Sequence, residues 1–193
     1  MAALTLANIR LTAKNLVNDP ADGTDGASTR FSDTEWKNAI NDSARDIRRL
    51  IKAQGDPGKW YNSASLASLT TPPADCERAL YIRNDNTGAG TVLGLWSFKG
   101  SGAVVILDGS SALTTATIFY ERFYTAVSGD TDVIDLPDGV QHLTHYIACI
   151  RYLMKGQAVV PPVASQMAAY VAGQLEVSVA DMKTMLGIST GAA

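Results

Sequence analysis

The stretch Arg30 to Gln54, RFSDTEWKNAINDSARDIRRLIKAQ, constrains the fold of this chain more than any other. Ser32 and Glu35 have the spacing of a capping box, in which the hydroxyl covers an early helix N–H and the carboxylate reaches back to the cap. Phe31, just before the cap, is placed to close on Trp36 as a hydrophobic staple. Trp36, Ala39, Ile40, Ala44, Ile47, Leu50 and Ile51 then recur at helical spacing and predict one apolar stripe. Lys37, Asn38, Asp42, Arg45, Asp46, Arg48, Arg49 and Lys52 fall on the other face, and Gly55-Asp56-Pro57-Gly58 predicts the end of the helix. Thr5 predicts the cap of an earlier helix with Leu6, Ile9, Ala13, Leu16 and Val17 on one side. The turn-forming loop Asn18 to Thr29 joins the two. Each stripe needs cover, so an antiparallel helix pair is expected.

From Lys59 to Tyr124 the period changes. Ser65–Thr71, Glu77–Arg83, Thr91–Lys99, Ala103–Asp108 and Thr115–Tyr124 are short runs rich in β-branched and aromatic residues, separated by turn signals. With no helix between them to make a crossover, they predict an antiparallel meander of about four or five strands. Helices then return. Pro137 predicts a helix start, followed by Val140, Leu143, Ile147, Ile150 and Met154, with Gly156 as the stop. Pro162 opens a long last helix with Val163, Met167, Tyr170, Val171, Leu175, Met182 and Leu186 inside and Gly187 at its end. The expected fold is α+β, a bundle of about four helices with a small antiparallel β domain inserted. Its parts are an N-terminal helix pair (1–58), the β region (59–128) and a C-terminal helix pair (129–193).

Composition narrows the function. Of 193 residues, 46% are hydrophobic and only 18% charged, which fits a chain that buries surface against other subunits. A net charge of -3 argues against a dedicated nucleic-acid binder, because phosphate neutralisation needs a basic face. Cys76 and Cys149 form no CxxC and predict no disulfide framework. The N-terminus lacks a signal-peptide pattern, and no apolar run approaches the length of a membrane helix. Synthesis and use in the cytoplasm, or export within an assembly, is the expectation.

Few residues invite chemistry. His142, His145 and Cys149 lie at i, i+3 and i+7 of one helix and share a broad face, as zinc ligands would. No fourth ligand is signalled, so partly buried histidines and a core cysteine are the better expectation. Asp19, Asp22 and Asp25, and separately Asp130, Asp132, Asp135 and Asp138, are expected as solvated turn carboxylates, since neither stretch has the calcium-loop pattern. Arg45, Arg48, Arg49 and Lys52 make a basic ridge, either a solvated helix face or a surface that meets an acidic protein partner or DNA phosphates. Gly88–Gly94, GAGTVLG, lacks the lysine of a phosphate loop and predicts a hairpin turn. No catalytic set or cofactor is indicated, and the expectation is that the chain is not an enzyme.

The order of these parts resembles the head-to-tail adaptor (connector, or head-completion) proteins of tailed bacteriophages. The N-terminal helix LTLANIRLTAKNLVND, the Asp/Gly/Pro-rich loop and RFSDTEWKNAINDSARDI carry the likeness. A β-rich middle, the IDLPD loop entering a helix (Val133 to Tyr152) and a final long helix complete it. The resemblance implies a homo-oligomeric ring, a dodecamer, in the neck of the virion. Its partners would be the portal protein above and a tail tube or nozzle protein below. DNA would be met only as the genome passing through the channel, and no membrane is involved. Two other readings are another phage tail or neck protein and a small metal-dependent enzyme built on His142, His145 and Cys149.

Overall fold

The computed structural model describes residues 4–19, 31–54, 60–66, 73–85, 91–92, 96–99, 103–106, 116–157 and 159–188. Among them are five helices: α1 (Leu6–Leu16), α2 (Asp33–Ala53), α3 (Leu143–Met154), α4 (Pro162–Gln174) and α5 (Val179–Met185). Six strands lie between α2 and α3: β1 (Tyr61–Leu66), β2 (Cys76–Asn84), β3 (Thr91–Val92), β4 (Trp96–Lys99), β5 (Ala103–Ile106) and β6 (Ala116–Arg122). The protein is α+β. It divides into two compact units, Met1–Asp56 with Thr125–Ala193, and Pro57–Tyr124, so the strands are inserted into the helical unit.

In the helical unit α3 packs against α1, α2 and α4. A helix covered on several sides has little room for a polar face. Accordingly Leu143, Thr144, His145, Ile147, Ala148, Cys149, Ile150 and Tyr152 are all buried. The helix begins at Leu143 and not at Pro137 as the periodicity predicts. Residues before it form separate turns, with the Val140 and Gln141 N–H groups donating to the Pro137 carbonyl at 3.0 and 3.2 Å. The reason is the buried Gln141 side chain. Its Nε2 donates to the carbonyls of Leu136 and Ile134 at 2.9 and 3.2 Å, and its Oε1 accepts from Leu4 N–H at 2.8 Å. Those bonds hold the chain on either side of the turn.

α2 starts as its sequence predicts. Ser32 Oγ accepts from Glu35 N–H at 3.2 Å, and Glu35 accepts from Ser32 N–H at 2.8 Å. Phe31 meets Trp36 edge-on at 5.2 Å, and Trp36 stacks on Tyr152 of α3 at 5.1 Å. α1 ends with Asn18 in the left-handed region at φ 52, and the Asp19 N–H closes back on the Lys14 carbonyl at 3.0 Å. That closure turns Asp19 inward. Its carboxylate accepts from Trp36 Nε1 at 2.9 Å and from the Tyr152 hydroxyl at 2.8 Å. Asp19 is thus a buried anchor and not a solvated turn residue, while Asp22 and Asp25 lie outside the described residues.

Several predicted faces shift. Leu16 is exposed and Val17 only half-buried, whereas Leu6, Ile9 and Ala13 are buried as expected. Asp46 and Arg48, placed on the solvent side of α2 by spacing, are buried. The long last helix is two helices. Glu176 takes φ 54, Val177 N–H closes on the Ala172 carbonyl at 3.0 Å, and the chain restarts at Ser178, whose hydroxyl accepts from Asp181 N–H at 3.0 Å. Val171, Leu175 and Met182 are buried, but Val163 and Tyr170 face outward.

In the inserted unit every strand pairing among the described residues is antiparallel, yet the sheet is not a meander. The order is β1-β6-β2-β3, with β6 between β1 and β2, and β4-β5 form a separate two-stranded sheet. Alternation along β6 buries Ala116, Ile118 and Tyr120 against Ile82, with Ala64, Cys76 and Ala79 packed around them. The first strand covers 61–66, earlier than the predicted Ser65–Thr71, most of which lies outside the described residues. Of the predicted Thr91–Lys99 run, β3 covers 91–92 and β4 covers 96–99, and 93–95 lie outside the described residues.

Replacing Asp19 by Ala leaves a buried indole N–H and a phenol O–H without their acceptor. The helical unit is expected to lose about 2–4 kcal/mol of stability, with Asp19→Asn costing less because its amide oxygen still accepts. Urea titration followed by far-UV ellipticity measures this, and an Asp19→Ala midpoint equal to that of the parent contradicts it.

Candidate partner-binding surface

The four basic residues singled out on α2 do not form one patch. Arg45 and Arg49, one turn apart, are exposed. Arg45 pairs with Asp42 at 2.9 Å and Arg49 with Asp46 at 3.7 Å, each partner three residues earlier. Arg48 is only 5% exposed, because the rotation from Arg45 swings it toward the side that carries Ala44 and Ile47. Lys52 is half-buried. Asp46 also accepts from Arg151 of α3, so one buried carboxylate ties two helices and an exposed arginine together. Burial pushes its pKa up, against the pull of Arg151. Two outward arginines, each beside a carboxylate, offer a mixed-charge surface to a protein and a poor grip on phosphate.

His145 is buried, His142 is half-buried at the residue preceding α3, and the Cys149 thiol donates to the Ala13 carbonyl at 3.4 Å. Burial pushes that thiol up to about 12, so it stays protonated and is poorly suited to bind zinc or attack a substrate. Among the described residues no three His, Cys, Asp or Glu side chains converge on a point that suits a metal ion.

The acidic run after the strands is occupied in the same way. Asp130 pairs with Arg10 at 3.0 Å, and Asp132 accepts from the Ser128 and Gly129 N–H groups at 2.8 Å each. Asp135 accepts from Thr125 N–H at 3.1 Å, and Asp138 accepts from Gln141 Nε2 at 3.3 Å. Each carboxylate holds its own piece of loop. The chain carbonyls serve as well, since Leu6 and Ala7 N–H at the start of α1 donate to the Asp132 and Asp130 carbonyls at 2.9 and 3.1 Å.

The spacing of residues places Val163 and Tyr170 on the inner side of the last helix, and the structure puts them on the outer face of α4. PVASQMAAYVAGQ contains no charged residue, so an apolar stripe cannot be distinguished by its contrast with a polar one. Val163 is 49% and Tyr170 44% exposed, flanked by Val159 at 80% and Val179 at 41%. Leu11 and Leu16 on α1 are similarly exposed. In the inserted unit, Phe119 lies between a stacked Tyr81 at 4.5 Å and the Arg83 guanidinium at 5.3 Å, and the Tyr81 hydroxyl bonds that of Tyr61 at 2.7 Å. Uncharged helix faces and an arginine-aromatic cluster have the composition of protein contact surfaces. No helix among the described residues is long and apolar enough to cross a membrane. No protein-family model matches the chain, and no curated protein matches it.

Two outcomes follow from this geometry. Desolvation, with His142 nearby, pushes His145 down to about 4 from 6.5. A depressed pKa means that the folded state favours the neutral ring, so its stabilising effect is complete above pH 6.5 and is lost as pH falls through 4. The loss reaches about 3 kcal/mol, and His145→Gln should flatten the pH dependence of the unfolding free energy between pH 6.5 and 4.5. An unchanged slope contradicts this. For the arginines, Arg45→Ala and Arg49→Ala should each alter stability by less than about 0.5 kcal/mol, while Arg48→Ala should cost about 1–3 kcal/mol. Equal effects in thermal unfolding would place Arg48 on the surface.

Proposed function

We propose that this chain is a head-to-tail adaptor of a tailed bacteriophage, a structural protein that assembles into a ring, docks below the portal and joins it to the tail. The observation that carries the reading is the resemblance at RFSDTEWKNAINDSARDI, together with the place of that segment in the molecule. It supplies the cap, the staple and the stacked Trp36 around which the helical unit closes, and the strands are inserted between it and the IDLPD segment. Exposed apolar side chains lie on two different helices, Leu11 and Leu16 on α1 and Val163 and Tyr170 on α4, and a head-to-tail ring requires two different contact surfaces. Arg45, Arg48, Arg49 and Lys52 are the basic side chains nearest to a partner role. The salt bridges of Arg45 and Arg49 and the burial of Arg48 favour a protein partner over DNA. The genome is then cargo that slides past, since fixed phosphate contacts would hold it. The protein would reside in the virion neck after synthesis in the host cytoplasm, with no cofactor and no reaction of its own.

The test is capture of purified portal rings by the immobilised chain. Retention of portal, with extra density on its lower rim in negative stain, is expected. A portal fraction that passes through unbound, while tail tube protein is retained, overturns the reading in favour of another tail component.

A further inference from the structure

We infer that neighbouring copies join by helix packing, the exposed side of α1 in one copy lying against the exposed side of α4 in the next. The inference rests on the proposal that copies assemble into a ring and names the contact between them. The exposed residues of α1 are Asn8, Leu11, Thr12, Asn15 and Leu16, at the i, i+3, i+4, i+7 and i+8 spacing of one helix face. None is charged. Arg10 and Lys14 of the same helix are turned to the chain itself, where they pair with Asp130 and Asp33. On α4, Val163, Gln166, Ala169, Tyr170, Gly173 and Gln174 are exposed, and the helix carries no charged residue at all. A wetted face in the same unit has a different composition, since Asp33, Asp42, Arg45 and Arg49 are exposed along α2. Depletion of charge marks the surfaces that proteins bury against each other.

Shape selects a second copy as the occupant. α1 holds out two large side chains, Leu11 and Leu16. α4 holds out Ala169 and, one turn on, Gly173, where an added Cβ would meet nothing within 4 Å. Glycine weakens a helix, and nothing that packs at this position in the chain uses the missing side chain. Facing helices fit best when large side chains lie over small ones, so the leucines of α1 suit the space above Ala169 and Gly173. α1 against α1 would set leucine on leucine and leave that space unfilled. Both faces lack charge, so neither buries an unpaired ion when they meet. Because unlike faces join, the contact is heterologous, and each growing assembly keeps a free α1 at one end and a free α4 at the other until rotation closes it.

The experiment is sedimentation of the full chain over a range of concentrations, with Leu11→Arg and Gly173→Arg as the variants that block one face each. The parent is expected to associate beyond a dimer. Either variant alone is expected to weaken self-association at least tenfold with unchanged far-UV ellipticity. An equimolar mixture joins the intact α4 of Leu11→Arg to the intact α1 of Gly173→Arg, and it is expected to recover dimers and to stop there. Asn15→Arg and Gln166→Arg, at exposed positions on the same two faces, repeat the test if either first variant changes the ellipticity. A parent that stays monomeric, single variants that assemble like the parent, dimers from one variant alone, or a mixture without dimers would each overturn the contact. The two readings fail separately. Dimers in the mixture without portal capture remove the adaptor and keep the contact, whereas portal capture by a chain that stays monomeric removes only the contact.

Discussion

The helical unit depends on one carboxylate held out of water. Asp19 sits at the end of α1 and accepts from Trp36 of α2 and Tyr152 of α3, so three segments distant in sequence meet at two oxygens. A buried charge is costly unless hydrogen-bonded, and here both oxygens have donors. The aromatic groups that donate also pack on each other, with Phe31 edge-on to both rings at 5.2 and 5.3 Å. Lys155 lies over the Phe31 ring and pairs with Glu35 of the capping box. The helix start, the aromatic cluster and the polar anchor are therefore one construction.

A second set of bonds fixes the chain where it returns from the inserted strands. The Asn41 amide pairs with the backbone of Val127 in both directions, at 3.0 and 2.9 Å, and does for that loop what a neighbouring strand would do. Thr5 and Val133 form an antiparallel bridge, and Ile134 N–H donates to the Leu4 carbonyl at 3.2 Å. The segment from Thr125 to Gln141 thus has little regular structure but nearly every turn of it is tied by a side chain. Its aspartates hold this segment and the start of α1 in place, Asp130 through Arg10 and Asp132 and Asp135 through backbone N–H groups.

Local sequence rules recovered what is local. The capping box, the staple, the Ala-Ile stripe of α2 and the glycine at φ 66 that ends α5 are governed by neighbours within a turn. The errors share a cause in contacts across the chain. Asp19 lies among turn formers, and only the donors on Trp36 and Tyr152 draw it inside. Arg48 and Asp46 belong by spacing to a wet face, yet packing against α3 covers them. The break at Glu176 carries no glycine signal, so the helix stop was invisible at that residue. β6 slipping between β1 and β2 is a non-local pairing that no hairpin rule foretells. Of the candidate site, the charge of α2 was legible but its distribution between surface and interior was not.

Among the described residues many polar side chains are spent on the chain's own loops and helix ends, His145 and the Cys149 thiol are shielded, and exposed apolar residues include Leu11 and Leu16 of α1, Val163 and Tyr170 of α4, and Tyr61 of β1. Whether the chain is a piece of the phage neck is tested by labelling copies of it in whole particles with a small gold tag and imaging them. Label at a single vertex, between the capsid and the tail, is expected. Label distributed over the capsid shell, or along the length of the tail, would contradict it.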